Sequence, residues 1–183
     1  TIDIYFGNLE PTEDIWDFAF FITFFPQLVA GPIVRAADFI PQIKKKYSLT
    51  QEDFGRAVFL ILTGLFKKVV ISDFISVNFV DRVFDNPLSY SGFENLMGIY
   101  GYAIQIYCDF SGYSDIARGV SRWFGIDIMR NFNRPYIAKS FREFWSRWHI
   151  SLSSWFRDYV YIPLGGNRVM TARHFRNVFI VLV

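Results

Sequence analysis

The sequence lacks several features that define common protein classes. It has one cysteine, Cys108, which excludes an internal disulfide. Two histidines, His149 and His174, supply too few ligands for a zinc site with that cysteine, and no metal site is expected. There is no Walker A motif and no G-x-G-x-x-G fingerprint. The run Gly112–Ile116 begins like a nucleophile elbow but lacks its closing glycine, so α/β-hydrolase chemistry is not supported.

Apolar and aromatic residues, in contrast, are abundant. Hydrophobic side chains make up 52% of the 183 residues, aromatic ones make up 20%, and the mean hydropathy is +0.21. This is far more apolar surface than a disordered chain carries. No uninterrupted apolar run reaches the roughly 20 residues of a membrane helix, but three interrupted tracts come close: 15–34, 57–80 and 93–117. We expect each tract to form a membrane helix.

Two of these tracts contain residues that disturb a straight apolar helix. In 15–34, Pro26 and Gly31 interrupt the helical pattern, which predicts a bent or re-entrant segment. Within 57–80, the pair Lys67–Lys68 allows two interpretations. The tract is either one spanning helix whose lysines reach the membrane surface, or two shorter helices that meet there.

The third tract places small and polar residues on one helical face. At helical spacing that face comprises Gly98, Gly101, Gln105, Asp109 and Gly112. Such a face is typical of helices that pack closely in lipid. Because carboxylates are costly at membrane depth, Asp109 and Asp115 are candidate functional residues. The alternative is a structural pairing with Arg118 or Arg122.

Charge is distributed unevenly along the chain. Residues 1–117 hold 8 basic and 14 acidic side chains, whereas residues 118–183 hold 11 and 3. We expect the basic and aromatic segment 118–176 to lie at the cytoplasmic membrane surface, and a further membrane helix to start at 175–183. Nucleic acid is disfavoured as a partner because the basic segment leads directly into an apolar run. Membrane lipid is the expected partner.

These patterns predict an all-α membrane protein. The expected architecture is a polytopic helical bundle with re-entrant or broken helices and interfacial helices. The chain has no initial Met and stops inside the apolar run 178–183, so we interpret residues 1–183 as a fragment of one larger domain.

A helix is predicted to begin at Ser140 and to end at Ile162–Pro163, with His149 inside it. Ser140 and Glu143 fit a capping box, and aromatic residues follow at steps of three and four. Counted at 100° per residue, His149 lies on the border between a polar strip and an aromatic strip. An imidazole suits proton transfer because its ordinary pKa is about 6.5. The alternative is a histidine that only packs beside its aromatic neighbours.

Four stretches, in chain order, carry a family resemblance. They are Phe25–Arg35, Gly64–Lys68, Tyr107–Ala117 and Phe144–Arg168, the last containing Trp148-His149-Ile150-Ser151-Leu152. They resemble the membrane-bound O-acyltransferase family, in particular the bacterial branch that acetylates alginate and related exopolysaccharides. In that branch the histidine of the Trp-His-x-Ser-Leu motif is the active-site residue, which corresponds to His149. The family's second histidine, in a Trp-His-Gly context further on, has no counterpart here, because the neighbours of His174 differ.

The resemblance also implies substrates, partners and a location. The acyl donor is expected to be acetyl-CoA or another cytoplasmic thioester, acting as substrate, with no cofactor. The acceptor is expected to be a hydroxyl of an exopolysaccharide or cell-envelope polymer, or an extracytoplasmic acetyltransferase partner. The protein is expected to be a multi-pass protein of the bacterial inner membrane, and this piece alone could be inactive.

The expected mechanism uses His149 as general base on the acceptor hydroxyl. Trp145, Trp148 and Phe156 would shield the reacting carbonyl from water. Arg142 or Arg147 would attract the phosphates of an anionic donor, although cationic residues near a membrane also bind lipid headgroups.

One alternative function comes from a different class. The chain could belong to a polytopic transporter or channel that uses Asp109, Asp115 and His149 as ion or proton sites.

Overall fold

The computed structural model describes residues 2–7 and 9–182, which form helices, turns and connecting segments without a β-strand. The all-α prediction is therefore confirmed. The chain divides into two compact units, one ending at Ile128 and one beginning at Met129. The α-helices are α1 (Ile2–Tyr5), α2 (Ile15–Thr23), α3 (Ala36–Ile43), α4 (Gln51–Leu65), α5 (Asp81–Asp85), α6 (Gly92–Trp123), α7 (Phe141–Arg147), α8 (Ile150–Phe156) and α9 (Thr171–Leu182).

Membrane-spanning length and high hydropathy do not coincide in any helix of residues 2–7 and 9–182. The membrane-spanning character of 15–34, 57–80 and 93–117 stays a prediction.

The first tract is broken where its sequence predicts a break. Asp14 caps α2 by accepting a hydrogen bond from the Trp16 amide at 2.8 Å, and the helix ends at Thr23. A single 3₁₀ turn, Phe25–Gln27, follows and contains Pro26, which cannot donate a backbone hydrogen bond. The first unit's core lies beside this bend and is formed by Phe24, Phe39, Ala117, Ile126 and Ile128.

The second tract is one continuous helical run. Thr50 caps α4 by accepting from the Asp53 amide at 3.1 Å, and the backbone stays helical from residue 51 to residue 85. Two stretches of this run are π-helical, Phe66–Asp73 and Ser76–Val80. The interpretation as two shorter helices is therefore wrong.

The third tract is longer than predicted. A capping box starts α6, with the Ser91 hydroxyl accepting from the Glu94 amide and the Glu94 carboxylate accepting from the Ser91 amide. The helix runs to Trp123, so the predicted interfacial segment 118–176 begins inside α6. Helix α6 packs along the helical run 51–85.

The small-residue face of α6 makes this packing possible. A Cβ added at Gly64 would lie 2.5 Å from the Gly112 carbonyl oxygen, and one added at Gly112 would lie 2.7 Å from the Gly64 carbonyl oxygen. A Cβ at Gly98 would lie 2.9 Å from Val83 Cγ1. The two helices therefore touch through their backbones, and the predicted packing face is confirmed.

The second unit departs most from the sequence-based prediction. The Ser140 hydroxyl caps α7 as expected, but the Glu143 carboxylate accepts from the Lys139 amide at 2.8 Å instead of completing the capping box at Ser140. Helix α7 ends at Arg147 and α8 begins at Ile150, so the prediction of one continuous helix from Ser140 to Ile162 is wrong.

The last helix, α9, begins earlier than the predicted start at 175. It covers that predicted segment as far as Leu182. Val183, which the prediction also included, lies outside the described residues.

Candidate active site

His149 lies at the break between α7 and α8 and not inside a helix. Its backbone is left-handed, with φ of 43° and ψ of 56°. Histidine adopts this region more readily than most side chains, but it still costs about 1 kcal/mol or more. The residue is half-buried. The angular positions expected from a continuous helix therefore do not apply to it.

The break arises because other backbone groups take the hydrogen bonds of a continuing helix. The Arg147 carbonyl accepts from the Asn133 amide at 2.8 Å. On the other side of His149, the Ile150 amide donates to the Asn131 carbonyl at 2.9 Å. A straight helix would have used both groups internally, so it stops where residues 131–133 compete for them.

Arg147 is held by residues within its own unit. Its guanidinium donates to Glu143 Oε1 at 2.7 Å and to the Asn133 carbonyl at 3.2 Å. The bond to Asn133 connects the end of α7 to the loop before it, and the bond to Glu143 lies within α7. Arg142, by contrast, is exposed on α7. A donor-binding role stays a prediction for both arginines.

The aromatic residues form a cluster beside the break. Trp148 stacks on Phe144 at 5.5 Å between ring centroids and meets Phe132 edge-on at 5.0 Å. Trp145 contacts Phe144 edge-on and stays 46% exposed. Phe156 contacts Trp155 on α8. The continuous stripe predicted from helical spacing is therefore wrong, because it crosses a helix break.

Burial affects the protonation of His149. Desolvation lowers the pKa of its imidazole below the ordinary value near 6.5. The neutral ring, which can accept a proton, is therefore favoured at neutral pH. The pKa of Glu143 is also lowered, first by the hydrogen bond from the Lys139 amide and then by Arg147.

An open cavity of about 370 Å³ lies at the start of α7. Phe144, which stacks on Trp148 next to His149, is one of the residues that line it. Lys139 lines it as well and brings a positive charge to its edge. A cavity of this size can hold part of a small organic substrate.

The carboxylates Asp109 and Asp115 belong to the first unit, where each meets a lysine of the helical run 51–85. Lys67 Nζ lies 2.6 Å from Asp115 Oδ2, and Lys68 Nζ lies 2.5 Å from Asp109 Oδ1. Arg118, the partner considered from sequence, is 3.9 Å from Asp115. The structural pairing is thus observed, with lysines as the nearer partners.

In the part of the chain that the structure describes, no group of three or more histidine, cysteine or acidic residues is arranged to hold a metal ion.

Sequence reasoning missed Asn131 and Asn133, the two residues that set the position of His149. Asn131 is 1% exposed. Its side-chain oxygen accepts from the Ser151 amide at 3.1 Å. No local pattern links residues so far apart in sequence; the signal was a pair of asparagines, residues typical of turns, shortly before the predicted helix.

The fold and site together define an all-helical protein with closely packed helices and a half-buried candidate base beside an aromatic cluster. Residues 12–183 match the family described as MBOAT, the membrane-bound O-acyltransferase family. The chain belongs to this family, as the resemblance of its four stretches indicated.

Several curated proteins are similar to this chain. It is 42% identical over 184 residues to the probable alginate O-acetylase AlgI of Pseudomonas aeruginosa, covering 100% of this chain and 34% of that protein. It is 44% identical over 169 residues to the peptidoglycan O-acetyltransferase of Helicobacter pylori, covering 91% and 32%. It is 37% identical over 163 residues to the teichoic acid D-alanyltransferase of Bacillus subtilis, covering 85% and 40%. The chain thus spans about a third of the length of the first relatives.

Proposed function

We propose that this chain forms part of the acyl-transfer site of a bacterial membrane O-acyltransferase. It moves an acetyl group from a cytoplasmic thioester to a hydroxyl of an exopolysaccharide or other envelope polymer. Family membership and relatives named as acetylases of alginate and peptidoglycan support this reaction class. The observation that carries the proposal is the conformation of His149, a half-buried imidazole fixed at a helix break.

In the proposed reaction the neutral imidazole of His149 takes the proton of the acceptor hydroxyl. The oxygen attacks the thioester carbonyl carbon, and a tetrahedral intermediate forms. The carbon–sulfur bond then breaks, the thiolate leaves and takes up the proton, and the products are an ester and a free thiol. Trp145 and Trp148 provide apolar surface that limits competing hydrolysis.

A transfer assay tests the reaction class. The complete gene product, in native membranes, is supplied with acetyl-CoA labelled in the acetyl group and with a polysaccharide acceptor such as alginate or peptidoglycan. We expect label to enter the polymer as an ester that mild base removes. Proton or cation flux across proteoliposomes without any label in polymer or protein would contradict the proposal and favour the transporter alternative.

The pH dependence of the transfer tests the role of His149. Because burial lowers the pKa of this imidazole, its neutral form persists to lower pH than that of a free histidine. We expect the rate to rise with pH through an apparent pKa below about 6.5 and to be flat near neutral pH. The measurement is the initial transfer rate between about pH 4.5 and 8 with saturating donor. A flat profile over that range would contradict the base role.

A further inference from the structure

We propose that Asn131 is a positioning residue for the acyl-transfer reaction, because it fixes the backbone on which the His149 imidazole is carried. The inference rests on the proposed function of His149. Asn131 acts through the two residues that follow His149, Ile150 and Ser151.

Two hydrogen bonds join Asn131 to the residues that follow His149 at the helix break. Its backbone carbonyl accepts from the Ile150 amide at 2.9 Å, and its side-chain Oδ1 accepts from the Ser151 amide at 3.1 Å. Asn131 is 1% exposed, and Ser151 is equally buried. Water therefore competes little for these bonds, and both amides point to one residue.

The side chain of Asn131 caps the start of α8, which the side chain of the residue before a helix ordinarily does itself. The residue before α8 is His149, but its side chain makes no capping hydrogen bond, and its backbone is left-handed instead of extended. Asn131 supplies the missing acceptor from the preceding loop. The His149 side chain is therefore not needed to cap its own helix.

A second attachment holds the other side of His149. The Asn133 amide donates to the Arg147 carbonyl at 2.8 Å. The residues before and after His149 are thus both hydrogen-bonded to the loop 131–133. Of these bonds, the one through Asn131 Oδ1 can be removed by substitution, because it is the one that a side chain makes.

The test compares Asn131→Ala with Asn131→Asp in the complete gene product. Alanine removes Oδ1 but leaves the backbone carbonyl, so kcat should fall by a factor on the order of 10 to 100 with the KM for the acetyl donor changed less than about twofold. Aspartate keeps the acceptor, is favoured near a helix start, and should recover kcat to within about fivefold of wild type. The acid limb of the pH–rate profile of the alanine variant should move to higher pH, because a released ring is better solvated.

A second readout is independent of catalysis. Diethyl pyrocarbonate modifies accessible neutral imidazoles, and mass spectrometry of the peptides gives the rates at His149 and His174 separately. In Asn131→Ala the rate at His149 should rise about threefold or more while that at His174 stays constant, and Asn131→Asp should match the wild type. If alanine prevents folding, Asn131→Ser gives the same comparison, because the serine side chain is too short to reach the Ser151 amide.

The outcomes distinguish the positioning role of Asn131 from the base role of His149. If Asn131→Ala and Asn131→Ser leave both kcat and the His149 modification rate within twofold of wild type, the positioning role is wrong. It is equally wrong if the aspartate variant loses as much activity as the alanine variant. If the modification rate rises as expected but a protein lacking the His149 imidazole still transfers acetyl groups, Asn131 still fixes the backbone at His149, but the base role of His149 fails and the positioning has no part in the reaction.

Discussion

Replacing His149 with asparagine is expected to lower acetyl transfer by about 10²–10⁴-fold while the protein stays folded. Asparagine has no group that can take a proton near neutral pH, so the proposed general base is lost. It also belongs to the few residue types that adopt a left-handed backbone readily. The break between α7 and α8, which requires φ of 43° at this position, should therefore persist.

The measurement is transfer of labelled acetyl to polysaccharide by equal amounts of membrane-inserted protein. His174→Asn is the matched control, since His174 contacts Tyr161 through a 3.1 Å hydrogen bond and has no proposed part in the reaction. His149→Ala should lose the same activity and in addition cost about 1 kcal/mol of stability, because alanine is less tolerant of this backbone. Transfer within tenfold of wild type in His149→Asn would remove the base role.

Gly64→Ala is expected to lower the free energy of unfolding by about 3 kcal/mol. The added Cβ would lie 2.5 Å from the Gly112 carbonyl oxygen and 2.6 Å from Ile116 Cγ1. A backbone oxygen cannot move aside as a flexible side chain can. The two helices would have to separate, which would also disturb the ion pair between Lys67 and Asp115.

Gly55→Ala on the same helix is the control. No atom lies within 4 Å of a Cβ added at Gly55, so the methyl group meets open space. Alanine is the better helix former there, and stability should stay constant or rise by up to about 1 kcal/mol. Unfolding midpoints of both variants in the same detergent provide the measurement. Equal midpoints for the two variants would contradict the close backbone contact between α4 and α6.

The first unit was predictable to a large degree because its signals are local or periodic. The glycines on one face of α6 predicted a close helix contact, and they make it against the helical run 51–85. Pro26 predicted the break after α2. The lysine partners of Asp109 and Asp115 were not predicted, because which residues face each other across two helices depends on their register, and no local pattern gives it.

For the candidate site, the sequence singled out His149, whose role stays a prediction, but it did not predict the helix break at this residue. The capping signal at Ser140 correctly placed the start of α7, but the aromatic spacing suggested one helix as far as Ile162–Pro163. The helix ends at Arg147 because Asn131 and Asn133 offer competing hydrogen bonds from an earlier loop. Such competition depends on the tertiary fold. Periodicity within one segment carries no information about it.

The ion pair between Lys67 and Asp115 has a consequence for the order of events during biosynthesis. Lys67 lies on the helical run 51–85, and its carboxylate partner lies on α6. A ribosome completes the first helix before it reaches the second, so the nascent chain holds this ammonium group without that partner for the time needed to translate the intervening segment. Lys67 and Asp115 neutralise each other only once the two helices have packed, so this ion pair is a property of the helix pair and not of either helix alone.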